Sequence, residues 1–184
     1  LAEFFNLIWI PQSGKSAGYP KNSMGYDDLY WFTDYTSSFG NEEQLRSMIS
    51  TFKAKGLGTI ADVVINHRAS LADTWMSFPV ETYNGITYKM LPSDICANDD
   101  NGKAAANAEI KPTGANDSGD DFDGARDIDH SSQNVQTMVK AYLDMLLNDF
   151  GYTGFRYDMV KGYAPKYTGM YNTDANPEYS VGEY

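Results

Sequence analysis

The sequence has a single cysteine and few basic residues, and each shortage excludes a class of protein. Cys96 alone rules out an internal disulfide framework and cannot build a zinc cluster by itself. Only 14 lysines and arginines stand against 25 acidic residues, which gives a net charge of −11. This balance argues against nucleic acid and anionic membranes as partners and favours cations.

Long apolar runs and nucleotide-binding motifs are missing as well. No run approaches the roughly 20 apolar residues that a membrane-spanning helix needs. The first residues, LAEFFNLIWIPQSG, lack the basic region and cleavage site of a signal peptide. The loop PQSGKSAGYP contains neither GxGxxG nor GxxxxGK[ST], which argues against a doubly wound nucleotide-binding sheet. The 184 residues are 42% hydrophobic and 14% aromatic, a composition typical of one sizeable domain. Aromatic side chains at its surface would suit sugars as ligands.

The order of the predicted elements indicates a parallel sheet. FNLIWI (5–10) predicts a buried strand, and LGTIADVVIN (57–66) predicts a second one. Between them NEEQLRSMISTFKAKG predicts a helix that starts at Asn41, with Gln44 placed to complete a capping box. A second helix, SSQNVQTMVKAYLDMLLNDFG, leads into a strand, GFRYDMV, and EYSVGEY predicts a fourth strand. Alternating strands and helices favour an open α/β sheet or a (β/α)₈ barrel.

Residues 67–130 form an insertion far longer than the few residues usual between a strand and its helix. From Asp94 to Asp129 it carries ten acidic and three basic residues. Hard cations such as Ca²⁺ prefer oxygen ligands, so an irregular calcium site in NDSGDDFDGARDID is one interpretation. The spacing of an EF-hand loop is absent, and a solvated acidic loop is the alternative.

Polar side chains stand at or near the carboxyl ends of the last three predicted strands. Arg156 and Asp158 lie two residues apart and therefore share one face, Asn66 and His67 end the second strand, and Glu183 ends the fourth. Neighbouring strands would bring Asp158 and Glu183 to about the 5–5.5 Å of a retaining glycosidase pair. We expect Arg156 to keep Asp158 ionised and a more enclosed Glu183 to stay protonated. A surface ion pair, a surface carboxylate and a structural histidine are the alternatives.

Three segments together resemble the α-amylase family, glycoside hydrolase family thirteen, and most closely its plant-type and related bacterial members. The segments are DVVINH (62–67), GFRYDMVKG (154–162) and VGEY (181–184). The resemblance implies an α/β fold, a partial (β/α)₈ TIM barrel of about strands 2 to 5, with domain B inserted after strand 3. Residues 1–66 and 131–184 would then be two parts of the catalytic barrel, and residues 67–130 the calcium-binding domain B.

The resemblance also implies roles for individual residues. Asp158 would be the nucleophile, Glu183 the general acid and base, and Arg156 the residue that orients the nucleophile. The residues implied to bind substrate are His67, Tyr26, Lys161 and Gly162. The residues implied to bind Ca²⁺ are Asn66, Asp117, Asp120 (through its carbonyl), Asp121, Asp127 and Gly162 (through its carbonyl).

The implied activity is retaining endo-hydrolysis of α-1,4-glucosidic bonds in starch and related glucans. The alternatives are a related transglycosylase or debranching enzyme, or a non-catalytic glycan-binding fragment. The family's fourth segment, which supplies a third catalytic aspartate, is not present. We therefore expect the chain to be part of a longer enzyme and to be inactive alone. The expected partner is an α-glucan, and the expected location is extracellular; the sequence does not indicate an oligomeric state.

Overall fold

The apolar runs of the sequence form a parallel sheet in the computed structural model, which describes residues 1–71 and 75–184. In chain order the elements are β1 (Leu7–Ile10), α1 (Glu42–Ala54), β2 (Gly58–Val63), β3 (His67–Arg68), β4 (Glu81–Tyr83), β5 (Ile86–Tyr88), α2 (Lys103–Asn107), β6 (Arg126–Asp127), α3 (Gln133–Asp144), β7 (Gly154–Tyr157), α4 (Pro165–Ala175) and β8 (Tyr179–Gly182). Four strands pair in the order β1-β2-β7-β8, and every pairing is parallel. The predicted α/β class and parallel sheet are confirmed.

The sheet strands are shorter than the sequence predicts, because apolar runs continue past the end of the hydrogen-bonded ladder. β2 ends at Val63 although the apolar run reaches Ile65, and β7 ends at Tyr157. Met159 has a φ of +45°, so the chain leaves the strand conformation two residues after β7. Asp158 therefore lies just beyond the strand end.

Local signals set the boundaries of the two long helices. The Asn41 side chain accepts a hydrogen bond from the backbone N–H of Gln44, and the Gln44 side chain accepts one from the N–H of Asn41. This is the predicted capping box, which satisfies two otherwise free donors at the start of α1. α3 begins after Ser132, continues as a π-type turn over Met145–Phe150, and ends at Gly151, where φ is +85°.

The core lies between the sheet and α3. The side chains of Phe155 and Tyr157 on β7 are completely buried, as are Val135 and Val139 on α3. The ring of Trp31, from the long loop before α1, stacks on Tyr142 of α3 with centroids 5.3 Å apart, and it is completely buried. Burial of these faces packs the sheet against α3. Arg156 lies on the opposite face of β7.

The two ends of the acidic insertion lie side by side, because β3 pairs antiparallel with β6. A second small pair, β4 and β5, forms a hairpin within the insertion. The Arg68 and Glu81 side chains form an ion pair at 2.5 Å and are essentially inaccessible to solvent. Glu81 also accepts hydrogen bonds from the backbone N–H groups of Trp31 and Phe32. The insertion is thereby anchored to the loop that precedes α1. Among the described residues, no helix has the length and apolar content that crossing a membrane requires.

Candidate active site

The carboxyl ends of β2, β7 and β8 bring the predicted polar residues together. Asp62 of β2 is in register with Arg156 of β7, which is in register with Val181 of β8. Beyond the strands, the backbone N–H of Asp158 donates to Val63 O, and that of Glu183 donates to Tyr157 O, both at 2.9 Å. These bonds extend the ladder by one residue and place Asp158 beside Glu183.

Arg156 is the hub of the site, because its guanidinium contacts three carboxylates. Its Nη1 lies 2.8 Å from Asp62 Oδ1 and 2.7 Å from Asp158 Oδ1, and its Nη2 lies 3.0 Å from Glu183 Oε1. The predicted same-face contact of Arg156 with Asp158 is therefore present in the structure. Three charge-assisted contacts to one planar fork hold the carboxylates in a fixed arrangement.

Sequence reasoning missed Asp62. Its side chain is completely buried, and its Oδ2 accepts hydrogen bonds from Trp9 Nε1 and the Tyr26 hydroxyl, both at 3.2 Å. A charged residue inside the apolar run LGTIADVVIN was the available signal, because such a residue needs a buried partner. Strand register then identifies that partner as Arg156.

The pKa of Asp158 reflects opposing effects of burial and of Arg156. Burial raises the pKa of Asp158 to about 6, and the neighbouring carboxylates of Asp62 and Glu183 contribute to the rise, against the lowering effect of Arg156. Arg156 thus limits the rise in the Asp158 pKa but does not reverse it. Asp158 is mostly ionised at neutral pH and gains a proton in mildly acidic solution.

The surroundings of Glu183 correct an expectation. Its side chain is 54% exposed, so it is not the enclosed group that the sequence reasoning predicted. The reason is its position after β8, an edge strand of this sheet, all four of whose residues are exposed. Glu183 is still held in place, by Arg156 on one oxygen and by the backbone N–H of Met159, 3.2 Å from the other.

These carboxylates open onto a cleft of about 440 Å³. The cleft is lined by Tyr26, His67, Phe122, Asp158, Met159, Lys161, Glu183 and Tyr184. Four of the predicted site residues from the three sequence segments, together with Tyr26, therefore share one cleft. Phe122 is an aromatic lining residue that the sequence reasoning did not select.

His67 lies deep in the wall of this cleft and is only 2% exposed. Its Nε2 is 2.8 Å from the carbonyl oxygen of Tyr26, and its Nδ1 is 3.2 Å from Asn66 Nδ2. A carbonyl oxygen can only accept, so Nε2 carries the proton and Nδ1 accepts from the Asn66 amide. Burial lowers the pKa of His67, which keeps the imidazole neutral near pH 7.

Lys161 and Gly162, the other two predicted substrate-binding residues, are placed differently from each other. Lys161 lines the cleft and is exposed, with its Nζ 3.4 Å from Asp120 Oδ2. Gly162 is buried, and a Cβ at this position would lie 2.0 Å from Asn66 Oδ1. Only glycine allows the backbone to approach Asn66 so closely. Gly162 therefore lies beside Asn66 and is not itself a lining residue.

Three of the predicted metal ligands form a cluster next to the cleft. Asp117, Asp121 and Asp127 each have a carboxylate oxygen within 4.8 Å of the others. Asn66 Nδ2 donates a hydrogen bond to Asp127 Oδ1 at 3.3 Å, and Asp117 Oδ2 is buried without a hydrogen-bond partner in the described part of the chain. Burial raises the pKa of Asp127 to about 9, and the adjacent Asp117 carboxylate contributes to the rise. Closely spaced, partly buried carboxylates of this kind suit a hard divalent cation.

Asp120 lies outside this carboxylate cluster. Its exposed side chain pairs with Lys161, and its backbone N–H donates to Lys161 O at 3.0 Å. The sequence assigned only its carbonyl to the metal, and that assignment stays a prediction.

Comparison with known proteins finds similarity to one family. Residues 17–82 match the model of the α-amylase catalytic domain. Probable alpha-amylase 2 of Arabidopsis thaliana is 30% identical over 179 residues, and Alpha-amylase 3, chloroplastic, of the same plant is 28% identical over 180 residues. The chain is thus similar to members of the α-amylase family over almost its whole length. These alignments cover 97% and 98% of this chain but 39% and 19% of the two relatives, so the chain spans well under half their length.

Solved structures show the same fold. The α-amylase from Geobacillus thermoleovorans, whose crystal structure contains acarbose, superimposes on the whole of this chain with a TM-score of 0.67 and 16% sequence identity. The match covers 37% of that protein. The α/β architecture with its parallel sheet is thus that of a corresponding part of an α-amylase.

Proposed function

We propose that this chain carries the catalytic cleft of an α-amylase-type enzyme that hydrolyses internal α-1,4-glucosidic bonds of starch and related glucans with retention of configuration. The observation that carries the proposal is the bridging of Asp158 and Glu183 by one guanidinium at the ends of adjacent parallel strands. Two carboxylates that face one cleft from neighbouring strands are the groups that double displacement at a sugar carbon requires. Similarity to α-amylases suggests the substrate class.

In the proposed reaction Asp158 is the nucleophile. Its ionised carboxylate attacks the anomeric carbon as the bond to the leaving oxygen breaks, and Glu183 donates its proton to that oxygen. Water then attacks the glycosyl ester, Glu183 takes the proton from that water, and Asp158 leaves as a carboxylate. Arg156 keeps both carboxylates oriented throughout.

We further propose that the four parallel strands are strands 2 to 5 of a (β/α)₈ barrel, to which residues 1–66 and 131–184 contribute. The segment 67–130 is then domain B, whose two ends meet in the β3–β6 pair. The support is the matching order of strands and helices and the fold similarity to solved α-amylases. In such barrels active sites lie at the carboxyl ends of strands, which is where Arg156, Asp158 and Glu183 stand.

Four residues are proposed to bind the glucan. Tyr26, His67 and Lys161 line the cleft, and Gly162 contributes through its backbone next to Asn66. Tyr26 offers a flat surface close to Arg156, with its ring centroid 5.8 Å from Cζ.

The expected extracellular location stays a prediction, since one relative carries a chloroplast designation in its name.

We propose Ca²⁺ as the cation of the acidic cluster. Asp117, Asp121 and Asp127 would supply carboxylate oxygens, Asn66 its amide oxygen, and Asp120 and Gly162 their carbonyls. When bound, Ca²⁺ would neutralise these partly buried charges and would join domain B to the segment that follows β2, which carries Asn66. Isothermal titration with CaCl₂ tests this assignment: wild type should bind, and Asp127→Asn should bind at least about tenfold more weakly. Equal affinity of the two proteins would contradict it.

Replacement of Asp158 tests the catalytic proposal. In the complete enzyme, Asp158→Asn keeps the shape of the side chain but removes the nucleophilic charge, so hydrolysis of amylose should fall by about a thousandfold or more. Maltoheptaose should still bind, because the amide group of this variant occupies the same space as the carboxylate. The matched control is Asp144→Asn, an exposed carboxylate on α3, which should keep wild-type activity. An unchanged rate for Asp158→Asn would refute the assignment, and product analysis on pullulan separates hydrolysis of α-1,4 bonds from debranching.

A further inference from the structure

Phe122 belongs to the wall of the cleft, although it comes from the acidic insertion and not from the sheet. Its half-buried ring stacks on the imidazole of His67, with centroids 4.3 Å apart and planes inclined by 30°. It lines the same cleft as Tyr26, Asp158 and Glu183. The acidic insertion thus contributes a second aromatic ring to the cleft, in addition to that of Tyr26.

The contact with Phe122 changes what His67 offers to a ligand. His67 is 2% exposed, both of its ring nitrogens already have partners within the chain, and one face of its ring is covered by Phe122. Little of the imidazole is free to contact a sugar. Phe122, which is half-buried and lies over it, presents the more accessible surface.

Two further features hold the Phe122 ring where it is. The backbone N–H of Phe122 donates to Asp127 Oδ2 at 2.9 Å, which ties the residue to the acidic cluster. The tip of the ring lies against Gly124, where a Cβ would be 2.4 Å from Cζ and 2.6 Å from Cε1 of Phe122. Any side chain at position 124 would therefore displace the ring.

We propose that Phe122 is a substrate-contacting residue, whose ring forms an apolar surface for a glucose unit of the bound glucan, with His67 and Gly124 supporting it from behind and at its tip. The inference rests on the proposed function, because it assigns a contact within the same cleft. Its chemistry is the packing of the C–H groups of a sugar against an aromatic face, which excludes water from that side of the site. A ring backed by a second ring loses little side-chain freedom when the sugar binds, and this favours affinity.

Binding measurements in an Asp158→Asn background test the proposal, with maltoheptaose as the probe in isothermal titration. Phe122→Ala should weaken binding by about five- to tenfold, and Phe122→Trp should bind within about threefold of the parent. Phe122→Leu keeps apolar volume without a flat ring and should resemble the alanine variant. Gly124→Ala, which touches the cleft only through Phe122, should weaken binding by about two- to fourfold. Phe39→Ala removes an exposed ring outside the cleft and should bind like the parent.

Two outcomes would overturn the proposal. If Phe122→Ala binds maltoheptaose like the parent, the ring does not contact the glucan. If Phe122→Leu restores full affinity, the residue only fills space and supports His67. Thermal melts of every variant establish that the loss of binding does not come from unfolding. If the complete enzyme with Asp158 intact hydrolyses amylose while Phe122→Ala binds maltoheptaose normally, only this inference fails. If the complete enzyme neither hydrolyses amylose nor binds maltoheptaose, the proposed function fails.

Discussion

Removal of the Arg156 charge should shift the pH dependence of catalysis toward alkaline pH. Arg156 is the one cation in direct contact with Asp62, Asp158 and Glu183 in the part of the chain that the structure describes. With Arg156 present the pKa of Asp158 is about 6. An adjacent guanidinium typically lowers the pKa of an aspartate by about 1–3 units, so Arg156→Met should raise it to roughly 7–9.

The expected loss of activity follows from the ionised fraction of the nucleophile. At pH 6 about half of the wild-type Asp158 is ionised, and in Arg156→Met about a tenth or less should be. From ionisation alone, kcat/KM at pH 6 should fall by about fivefold or more, and part of the loss should be recovered at pH 8–9. Loss of orientation lowers the plateau as well, which is a separate effect because it does not depend on pH.

The assay is kcat/KM for maltoheptaose from pH 4.5 to 9.5, measured well below the melting temperature of each variant. Arg156→Lys keeps a positive charge but cannot span three carboxylates, so its acidic limb should lie between those of wild type and Arg156→Met. Arg46→Met, which removes an exposed ion pair with Glu42 on α1, is the control and should leave the profile unchanged. A lower plateau with an unshifted acidic limb would refute the electrostatic reasoning.

Two further predictions concern stability. Burial among aromatic side chains lowers the pKa of His130 to about 4, against the opposing effect of its hydrogen bond to Ile65 O. The unfolded chain therefore binds more protons between pH 6.5 and 4, so stability is complete above this window and falls as the pH drops through it. From pH 7 to pH 5 the free energy of unfolding should fall by about 2 kcal/mol because of His130, and urea titrations of His130→Asn should lack this fall. An equally steep decline in the variant would contradict the assignment. Chelation by EDTA should lower the melting temperature, and excess CaCl₂ should restore it, since a ligand bound only by the folded state stabilises it; an unaltered melting temperature would exclude a structural role for the cation.

The features that depend on neighbouring residues were predicted well from the sequence. The capping pair Asn41 and Gln44 requires only neighbouring residues, and the stop at Gly151 requires only a left-handed conformation. The contact between Arg156 and Asp158 follows from the two-residue period of a strand, which places both side chains on one face. In each case the determinants lie within a few positions of one another, so the pattern is visible in one stretch of sequence.

Several contacts between distant segments were not predicted from the sequence. The Asp62–Arg156 pair depends on the register of two strands 94 positions apart, and no local pattern sets that register. The exposure of Glu183 depends on β8 being an edge strand in this sheet. Phe122 is far from His67 along the chain and reaches it because β3 and β6 pair. Three-dimensional packing decides each of these.

The charge balance of the cleft also bears on the kind of substrate it suits. Asp62, Asp158 and Glu183 bring three acidic groups to one face, against the single guanidinium of Arg156, while Lys161 is already paired with Asp120. An excess of negative charge disfavours anionic ligands such as phosphorylated sugars. It favours positive charge that develops on a sugar ring in an oxocarbenium-like transition state. A neutral glucan, which carries no charge in the ground state and gains positive character only as the bond breaks, meets both conditions. Under the proposed function, the arrangement around Arg156 would therefore stabilise the transition state more than the bound substrate.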